Sequence, residues 1–248
     1  MPVPEATAER ADPRPEPGLV RVLSYNIHEC IGVDDRQDVD RIAEVLRAAD
    51  PDIIGLQEVQ SRFEQAPEED HLDRLAAALG MQAISGPTLF RAGADYGNAL
   101  LCRHPVEVLH RLDLSFPGRE PRGALDVVLS LPAGRLRVIV THLGLWPAER
   151  RFQVKRLVEA LGEGEPLPVV LMGDLNEGFP LGRPARWLHR HFDRGPAPGT
   201  FPSALPLLAL DRILVHPRQT LLSLRVLKTP LTRVASDHLP LQAVIALP

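Results

Sequence analysis

The sequence predicts an α+β domain in which strands and helices follow one another in mixed order. The 248 residues are 44% hydrophobic and 24% charged, which is ordinary for a soluble globular chain. Apolar residues recur in short runs typical of buried strands, or at the spacing of an amphipathic helix. No repeat or internal linker interrupts the pattern, so we expect one domain over residues 19–248.

The first part of the domain alternates strands and helices. Leu19–Tyr25 is a strand candidate, rich in apolar and β-branched residues. Asp38–Ala49 is predicted to be an amphipathic helix, because its apolar residues fall on one face and its first residue is a suitable cap. Ile53–Gln57 is predicted to be a short buried strand that ends at Glu58. Asp70–Leu79 is predicted to be a second helix, closed by a glycine.

The middle of the chain is rich in strand signals. The predicted strands are Asn98–Cys102, Val106–Leu114, Ala124–Leu131 and Arg135–Thr141. The last two are separated by a Pro-Ala-Gly segment, which indicates a hairpin. Pro147 suits the first position of a third helix, which is predicted to run to Leu161.

The last part of the domain is predicted to contain four strands and one short helix. The strands are Val169–Met172, Asp211–Val215, Leu221–Leu227 and Leu239–Leu247, the helix is Arg183–His189, and Gly195–Pro206 is a proline-rich loop.

Several classes of protein are excluded or disfavoured by composition. Residues 1–18 hold five prolines and four acidic residues without an apolar segment, which predicts a disordered tail and not a signal peptide. Apolar runs such as Leu167–Met172 are much shorter than the roughly 20 residues of a membrane-spanning helix. Cys30 and Cys102 lack metal-ligand spacing, which predicts reduced thiols and a cytoplasmic location. The net charge of −4 disfavours extended binding to nucleic acid.

Polar side chains repeatedly follow the buried strands at the point where each strand is predicted to end. If the strands lie side by side, these side chains form one polar rim with four carboxylates, two amides and two imidazoles. The residues of this rim are Asn26, Glu58, His142, Asp174, Asn176, Asp211, Asp237 and His238.

Four carboxylates at one site cannot all ionise cheaply unless a cation neutralises them. Oxygen ligands without cysteine predict a hard ion, Mg²⁺, with Mn²⁺ as a substitute. Because Mg²⁺ takes only one or two protein carboxylates, the other acids and the imidazoles are free for proton chemistry.

The same segments resemble, in order, the motifs of the endonuclease/exonuclease/phosphatase superfamily, the deoxyribonuclease-I-like phosphoesterases. The segments are Tyr25-Asn26-Ile27-His28, Leu56-Gln57-Glu58-Val59, Thr141-His142-Leu143, Gly173-Asp174-Leu175-Asn176, Leu210-Asp211-Arg212-Ile213 and Ser236-Asp237-His238-Leu239-Pro240. The resemblance implies a four-layer α/β/β/α sandwich of two mixed sheets packed face to face. It also implies an active site at one end of the sheets.

The resemblance also implies roles for individual residues of the metal site. Glu58 resembles the principal metal ligand, with Asn26 close by and Asp237 as a further acid near the metal. Some relatives carry an acid two residues after the first amide. Here that position is His28, which we assign instead to substrate binding.

The remaining roles concern the reaction itself. Asp174 resembles the carboxylate that orients or deprotonates the attacking water, and Asn176 the amide that holds the water or the phosphate. His238 resembles the imidazole that contacts the scissile phosphate, paired with Asp211. His142 resembles a proton donor to the leaving group.

Two further residues are substrate-binding candidates on their sequence context alone. Arg122 precedes a predicted strand and has the geometry to hold a phosphate, and Asn98 has the hydrogen-bonding groups to act within the site. An ordinary surface arginine and a turn asparagine are equally good interpretations. Arg150, on the third predicted helix, is interpreted as part of a solvated face.

Taken singly, most of the motif residues have a structural interpretation, such as a turn former or a surface ion pair. Their combination in one order predicts an Mg²⁺-dependent phosphoesterase that hydrolyses a phosphodiester or phosphomonoester by direct in-line attack of water. The acidic balance favours a small or lipid-derived phosphodiester, and a DNA or RNA nuclease is the alternative. A binding protein that kept only the fold is expected to have lost Glu58, Asp174 or His238, and all three are present.

Overall fold

A computed structural model describes residues 18–62, 70–179 and 182–247 and shows two β-sheets. The strands are β1 (Leu19–Asn26), β2 (Ile53–Ser61), β3 (Gln82–Arg91), β4 (Ala94–Cys102), β5 (Val106–Asp113), β6 (Gly123–Leu131), β7 (Gly134–His142), β8 (Val169–Asp174), β9 (Asp211–His216), β10 (Leu221–Val226) and β11 (Leu241–Ala246). Sheet 1 has the order β10-β11-β1-β2-β4-β3, and sheet 2 has the order β5-β6-β7-β8-β9. The pairs β1–β2 and β7–β8 are parallel and the other pairs are antiparallel, so both sheets are mixed.

The helices begin and end at residues that favour those positions. They are α1 (Val39–Ala49), α2 (His71–Leu79), α3 (Pro147–Leu161), α4 (Arg183–Phe192) and α5 (Thr232–Ala235). Asp38 caps α1 by accepting a hydrogen bond from the backbone N–H of Arg41 at 2.8 Å, which satisfies one of the free donors of the first turn. Gly80 ends α2 in the left-handed conformation, at a φ of 61°.

The sheets and helices pack in four layers. Leu100, Val140 and Met172 belong to the apolar core between the two sheets. Leu46 of α1 packs on the outer face of sheet 1, and Leu157 of α3 packs on the outer face of sheet 2. Each fully buried side chain of this size contributes roughly 1.5–3 kcal/mol relative to leaving it exposed. The α/β/β/α sandwich implied by the resemblance is therefore confirmed.

Most predicted elements are present, with bounds that differ by a few residues. The third helix begins and ends where the sequence predicts, and the Pro-Ala-Gly segment does join two antiparallel strands. The short helix from Arg183 continues to Phe192, and the last strand spans Leu241–Ala246.

One prediction about local structure is wrong, and two elements were not predicted. The second strand does not end at Glu58 but continues to Ser61, because Glu58 lies in a β-bulge and not at a strand end. Strand β3 was not predicted, because Gly86 and Pro87 interrupt its apolar pattern. It lies at an edge of sheet 1, where a proline costs no hydrogen bond to a neighbouring strand. The short helix α5 was also not predicted.

Three further predictions concern the N-terminal tail, the cysteines and membrane-spanning segments. The predicted tail, residues 1–18, lies outside the described residues except for its last glycine. Both cysteines are free and buried. No helix in the described part of the chain has the length and apolar character needed to cross a membrane.

Candidate active site

The two sheets bring their polar strand ends to the same end of the sandwich, which we call the site end. In sheet 1, β1 finishes at Asn26 beside the parallel strand β2. In sheet 2, three residues are register partners on adjacent strands: His142 on β7 pairs with Asp174 on β8, and Asp174 pairs with Asp211 on β9. Cross-strand partners have neighbouring side chains, so the pairing itself assembles three of the eight rim residues.

Glu58 reaches the site through a break in strand pairing. The register between β2 and β4 shifts between Leu56 and Val59, and Glu58 within this bulge has a φ of 59°. Such a bulge re-aims one side chain at some cost in backbone strain. Gly97 on β4 opposes the bulge, where a Cβ would lie 2.4 Å from the carbonyl oxygen of Gly86.

Asn26 connects the two sheets at the site end. Its buried amide Nδ2 donates to Glu58 Oε1 at 2.9 Å and to Asp174 Oδ2 at 3.2 Å. Its Oδ1 accepts from the backbone N–H of His28 at 3.1 Å, which fixes the amide orientation. Two carboxylates from different sheets therefore face one amide nitrogen.

Asp174 is a buried carboxylate whose pKa is raised to about 7. Burial is the largest cause, and the charge of Asp211 adds to it. His238 and the hydrogen bonds from Asn26 and from the backbone of Asn176 act in the opposite direction. Its position depends on the preceding Gly173, because a Cβ there would lie 1.8 Å from the carbonyl oxygen of Thr141.

Asp211 and His238 form a buried pair beside Asp174. His238 Nδ1–H donates to Asp211 Oδ2 at 2.8 Å, and His238 Nε2 lies 3.5 Å from Asp174 Oδ2. Burial alone would lower the pKa of His238, but the charges of Asp211, Asp174 and Asp237 and the hydrogen bond outweigh it and raise the pKa to about 10. The imidazole is therefore charged near neutral pH, and its ring packs against Phe201 at 4.8 Å.

His142 is buried in the opposite electrostatic setting. Burial, then the charges of Arg122 and His238, lower its pKa well below the usual range, so the ring is neutral. Arg122 Nη1 lies 3.3 Å from Nδ1, and Nε2 lies 3.5 Å from Asp174 Oδ2. Nε2 also lies 3.1 Å from Nδ2 of Asn176, whose amide donates to the carbonyl oxygen of Leu143 at 2.8 Å.

Three predicted residues lie at the site end without joining this network directly. The His28 ring Nδ1 lies 3.1 Å from the carbonyl oxygen of Ile31, and Asn98 donates to the carbonyl oxygen of Gly123 at 2.9 Å. Asp237 is half-buried and accepts from Ser236 at 3.3 Å. Within the described residues, none of the three side chains is hydrogen-bonded to Glu58, Asp174 or His238.

The sequence interpretation missed two supporting residues. Ser236 donates to the carbonyl oxygen of Asn26 at 2.8 Å and accepts from the backbone N–H of His238 at 3.2 Å, so it ties two candidate residues together. Its place in the motif around His238 was the available signal. Arg150 is not on a solvated face: it is 7% exposed, and its Nε lies 3.4 Å from Glu177 Oε2.

This geometry offers both cation binding and proton chemistry. Ligand atoms of Asp174, Asp211 and His238 lie within 4.8 Å of one another. Glu58 adds a carboxylate that shares the amide of Asn26 with Asp174. A charged and a neutral imidazole flank the same carboxylate, and this carboxylate titrates near neutral pH.

The two-sheet sandwich with this site at one end has the deoxyribonuclease-I-like fold. The chain belongs to the endonuclease/exonuclease/phosphatase family, whose sequence profile matches residues 23–238. It is 33% identical over 251 residues to the Escherichia coli K12 protein YbhP, covering 92% of this chain and 96% of YbhP.

Solved structures of the same fold agree with this assignment. An endonuclease/exonuclease/phosphatase from Beutenbergia cavernae superposes with a TM-score of 0.73 at 24% identity, over 92% of this chain and 72% of that one. The human Nocturnin catalytic domain, solved with a bound sulfate anion, gives a TM-score of 0.71 at 22% identity, over 93% and 95%. At these identities the likeness concerns the fold.

Proposed function

We propose that this protein is a divalent-metal-dependent phosphoesterase, with residues 19–248 as its one domain, that cleaves a P–O bond by direct in-line attack of water. The observation that carries the proposal is the meeting of Glu58 and Asp174 at the amide of Asn26, beside the Asp211–His238 pair. Carboxylates from two different sheets have no structural reason to converge in a buried place, because their mutual repulsion destabilises the fold unless it is neutralised.

The donor set fits a hard cation. Glu58 supplies a carboxylate ligand, and Asp211 Oδ1 is a buried oxygen without a hydrogen bond from any described residue. We assign Mg²⁺ to this place, with Mn²⁺ as a substitute, and Glu58 as its principal ligand. Asn26 orients Glu58 through its NH₂ group, and Asp237 adds negative charge nearby. When bound, the ion would stabilise negative charge on the phosphoryl oxygens.

Asp174 is the proposed acceptor of the proton from the attacking water. A general base works best when its pKa lies near the working pH, and burial raises the pKa of Asp174 to about 7. Asn176, whose backbone N–H donates to Asp174 Oδ1 at 2.9 Å, holds this carboxylate in place. Its side-chain amide beside His142 is the proposed contact to the water or phosphate.

The two imidazoles have different proposed tasks. His238 is an imidazolium oriented by Asp211, so it stabilises the anionic transition state and is the better proton donor of the two. His142 was assigned above to protonation of the leaving group. A neutral ring beside Arg122 and Asn176 favours a different role, in which it positions these two side chains for the substrate.

The proposed substrate class is a small or lipid-derived phosphodiester, and phosphomonoesters belong in the same test. The net charge of −4 supports this choice over a long nucleic acid, which remains the alternative. His28, Asn98 and Arg122 are the proposed substrate contacts. Arg122 Nε is buried and has no partner among the described residues, so it is available to a phosphate oxygen. Free Cys30 and Cys102 agree with the proposed cytoplasmic location.

The test is hydrolysis of bis-p-nitrophenyl phosphate by the full chain, with Mg²⁺, with Mn²⁺ and with EDTA. We expect activity with either metal and none in EDTA, while thermal unfolding in EDTA stays cooperative because apolar packing holds the fold. A screen of p-nitrophenyl phosphate, phospholipids, RNA oligomers and plasmid DNA then ranks the substrates. Absence of hydrolysis on all of them, with either metal, would favour a non-catalytic binding protein.

A further inference from the structure

Exposed large apolar side chains are concentrated at the site end of the sandwich. Three loops that follow or precede the site strands carry six of them, which we call the apolar rim. Its residues are Leu145, Trp146, Phe179, Leu205, Leu207 and Leu208. By contrast, Leu222, which is 57% exposed, lies at the opposite end, where β10 pairs with the end of β11. A clustered set of exposed apolar residues marks an interaction surface, whereas scattered ones do not.

The first two loops of the rim are held to each other. The loop after β7 presents Leu145 and Trp146, and the loop after β8 presents Phe179. Arg150 joins them, because its Nη1 donates to the carbonyl oxygen of Leu145 at 2.5 Å and its Nε lies 3.4 Å from Glu177 Oε2. The same Glu177 accepts from the backbone N–H of Phe179 at 3.1 Å. These apolar side chains therefore project from one connected support next to His142 and Asn176.

The third loop completes the rim on the side of His238. Leu208 is bonded through its backbone to Phe201, whose ring packs on the His238 imidazole. Gly178, in the second loop, lies beside this loop, since a Cβ on it would be 3.9 Å from Leu208 Cδ2. The three loops thus lie next to one another beside the catalytic groups.

The charges within the rim indicate what covers it. From Gly195 to Leu210 the third loop contains no charged residue. Exposed cations beside the rim include Arg119, whose guanidinium lies 4.7 Å from the Trp146 ring centroid, and Arg233, which donates to the carbonyl oxygen of Ala204 at 2.8 Å. Aromatic and aliphatic tips with flanking arginines match a phospholipid surface, which offers apolar chains below a layer of phosphates.

We propose that the apolar rim inserts into the surface of a phospholipid bilayer and thereby presents a headgroup phosphoester to the active site. This proposal rests on the proposed phosphoesterase function and narrows its substrate class to phospholipids. The phosphoester of a lipid lies at the boundary between headgroups and acyl chains. Inserted side chains of Trp146, Phe179 and Leu207 would reach about the same depth in the bilayer. A soluble substrate would not require apolar residues on all three loops.

Vesicle sedimentation with the full chain tests the proposal. The probes are vesicles of phosphatidylcholine with phosphatidylglycerol, and vesicles of phosphatidylcholine alone. The test variant combines Trp146→Ser, Phe179→Ser and Leu207→Ser, none of which we place in the catalytic machinery. Leu222→Ser is the matched control, because Leu222 is exposed to the same degree as Trp146, 57% against 55%. Each lost apolar side chain is expected to reduce vesicle partitioning by roughly tenfold.

The expected result is vesicle binding by the wild type and by Leu222→Ser, and loss of binding by the triple variant. Hydrolysis of bis-p-nitrophenyl phosphate, a soluble ester, should stay within about twofold of wild type in all three proteins. Equal binding by the triple variant, or no binding by an active wild type, would overturn the rim proposal. Self-association that the triple variant abolishes, without vesicle binding, would overturn it in favour of a second copy. Vesicle binding without hydrolysis of any ester would instead contradict the phosphoesterase function.

Discussion

The two ends of the sandwich differ in the number of strained backbone residues and in the pairing of buried charges. At the opposite end, short connections such as the Pro-Ala-Gly turn between β6 and β7 join the strands. At the site end most connections are longer, apart from the turn between β3 and β4. Most of the described non-glycine residues with positive φ lie there, among them His28 at 46°, Glu58 at 59° and Asn176 at 49°. Residues held in this way cost about 1–3 kcal/mol each and persist where the surroundings determine them.

The same contrast holds for buried charge. Asp126 lies on the outer face of sheet 2 and accepts from Arg137 Nε at 2.8 Å and from Nη2 at 2.6 Å, so its charge is fully matched. Asp174 at the site end is buried next to a second carboxylate, and its pKa is raised to about 7. A matched buried charge serves the fold, whereas an unmatched one is tolerated because it serves chemistry.

The largest expected effect separates these two carboxylates. Asp174→Asn should lower kcat by roughly 10³-fold through loss of the base, and the free energy of unfolding should stay the same or rise, since a costly buried acid is removed. Asp126→Asn should lower the free energy of unfolding by about 2–3 kcal/mol and leave kcat unchanged. Urea unfolding and steady-state kinetics check both. Similar destabilisation by the two variants would show that Asp174 serves the fold.

The second prediction tests the Asp211–His238 pair at the site end. Asp211→Asn keeps the shape but removes the charge that raises the pKa of His238, so kcat should fall by roughly 10²-fold or more. Because the pKa of the imidazolium falls, the alkaline limb of the rate profile should move to lower pH. Asp211→Asn combined with His238→Ala should be little worse than His238→Ala alone. Fully additive losses would assign Asp211 to the fold or the metal.

The third prediction concerns the metal. Glu58→Gln should raise the Mg²⁺ concentration for half-maximal activity by roughly ten- to a hundredfold, because an amide oxygen is a weaker ligand for a hard cation. High Mg²⁺ should restore part of the rate. Glu120→Gln is the control, since Glu120 is another carboxylate at the site end, 2.9 Å from Arg122, on a side chain 41% exposed. An unchanged Mg²⁺ dependence in Glu58→Gln would show that Glu58 is not a metal ligand.

The sequence predicts the layers of this fold well because apolar periodicity is local information. Strand β7 begins at a glycine and helix α3 begins at a proline, and both signals are visible in the sequence. Strand β3 could not be predicted in this way, because it is an edge strand. Edge strands tolerate exposed residues and an internal proline such as Pro87, so its sequence lacks the apolar pattern. The bulge at Glu58 could not be predicted either, because it is defined by the pairing of β2 with β4 and not by the local sequence.

The candidate site divides in the same way. The order of the motifs predicts which residues belong together, and the structure does bring Asn26, Glu58, His142, Asp174, Asn176, Asp211 and His238 into hydrogen-bonding or register contact. The expected pairing with Asp211 also predicts the raised pKa of His238. What the sequence could not predict is the lowered pKa of His142, because this depends on burial and on Arg122, which its ring meets only in the folded chain. Arg150 was misjudged because burial of a charged residue depends on the loops that fold over it.

The smallest expected effect concerns how the site end is held in shape. Arg150 Nη1 donates to the carbonyl oxygens of Leu145 and Gly144, and its Nε lies 3.4 Å from Glu177 Oε2. It thus ties the loop that follows His142 to the loop that follows Asn176. Arg150→Met keeps an unbranched apolar stem and removes these contacts. We expect kcat to fall by about tenfold, because small displacements of reacting groups are costly, while KM changes less.

Arg137→Met is the matched control for this effect. Arg137 is as buried as Arg150, at 8% against 7% exposed, and it also bonds a buried carboxylate and backbone carbonyl oxygens, but it lies away from the site end. Removing either arginine leaves a buried carboxylate without its cation, so both variants should lose about 3–5 kcal/mol of unfolding free energy. Only Arg150→Met should lower kcat, when both are assayed well below their melting temperatures. Equal kcat values in the two variants would mean that Arg150, like Arg137, only stabilises the fold and does not position the catalytic groups.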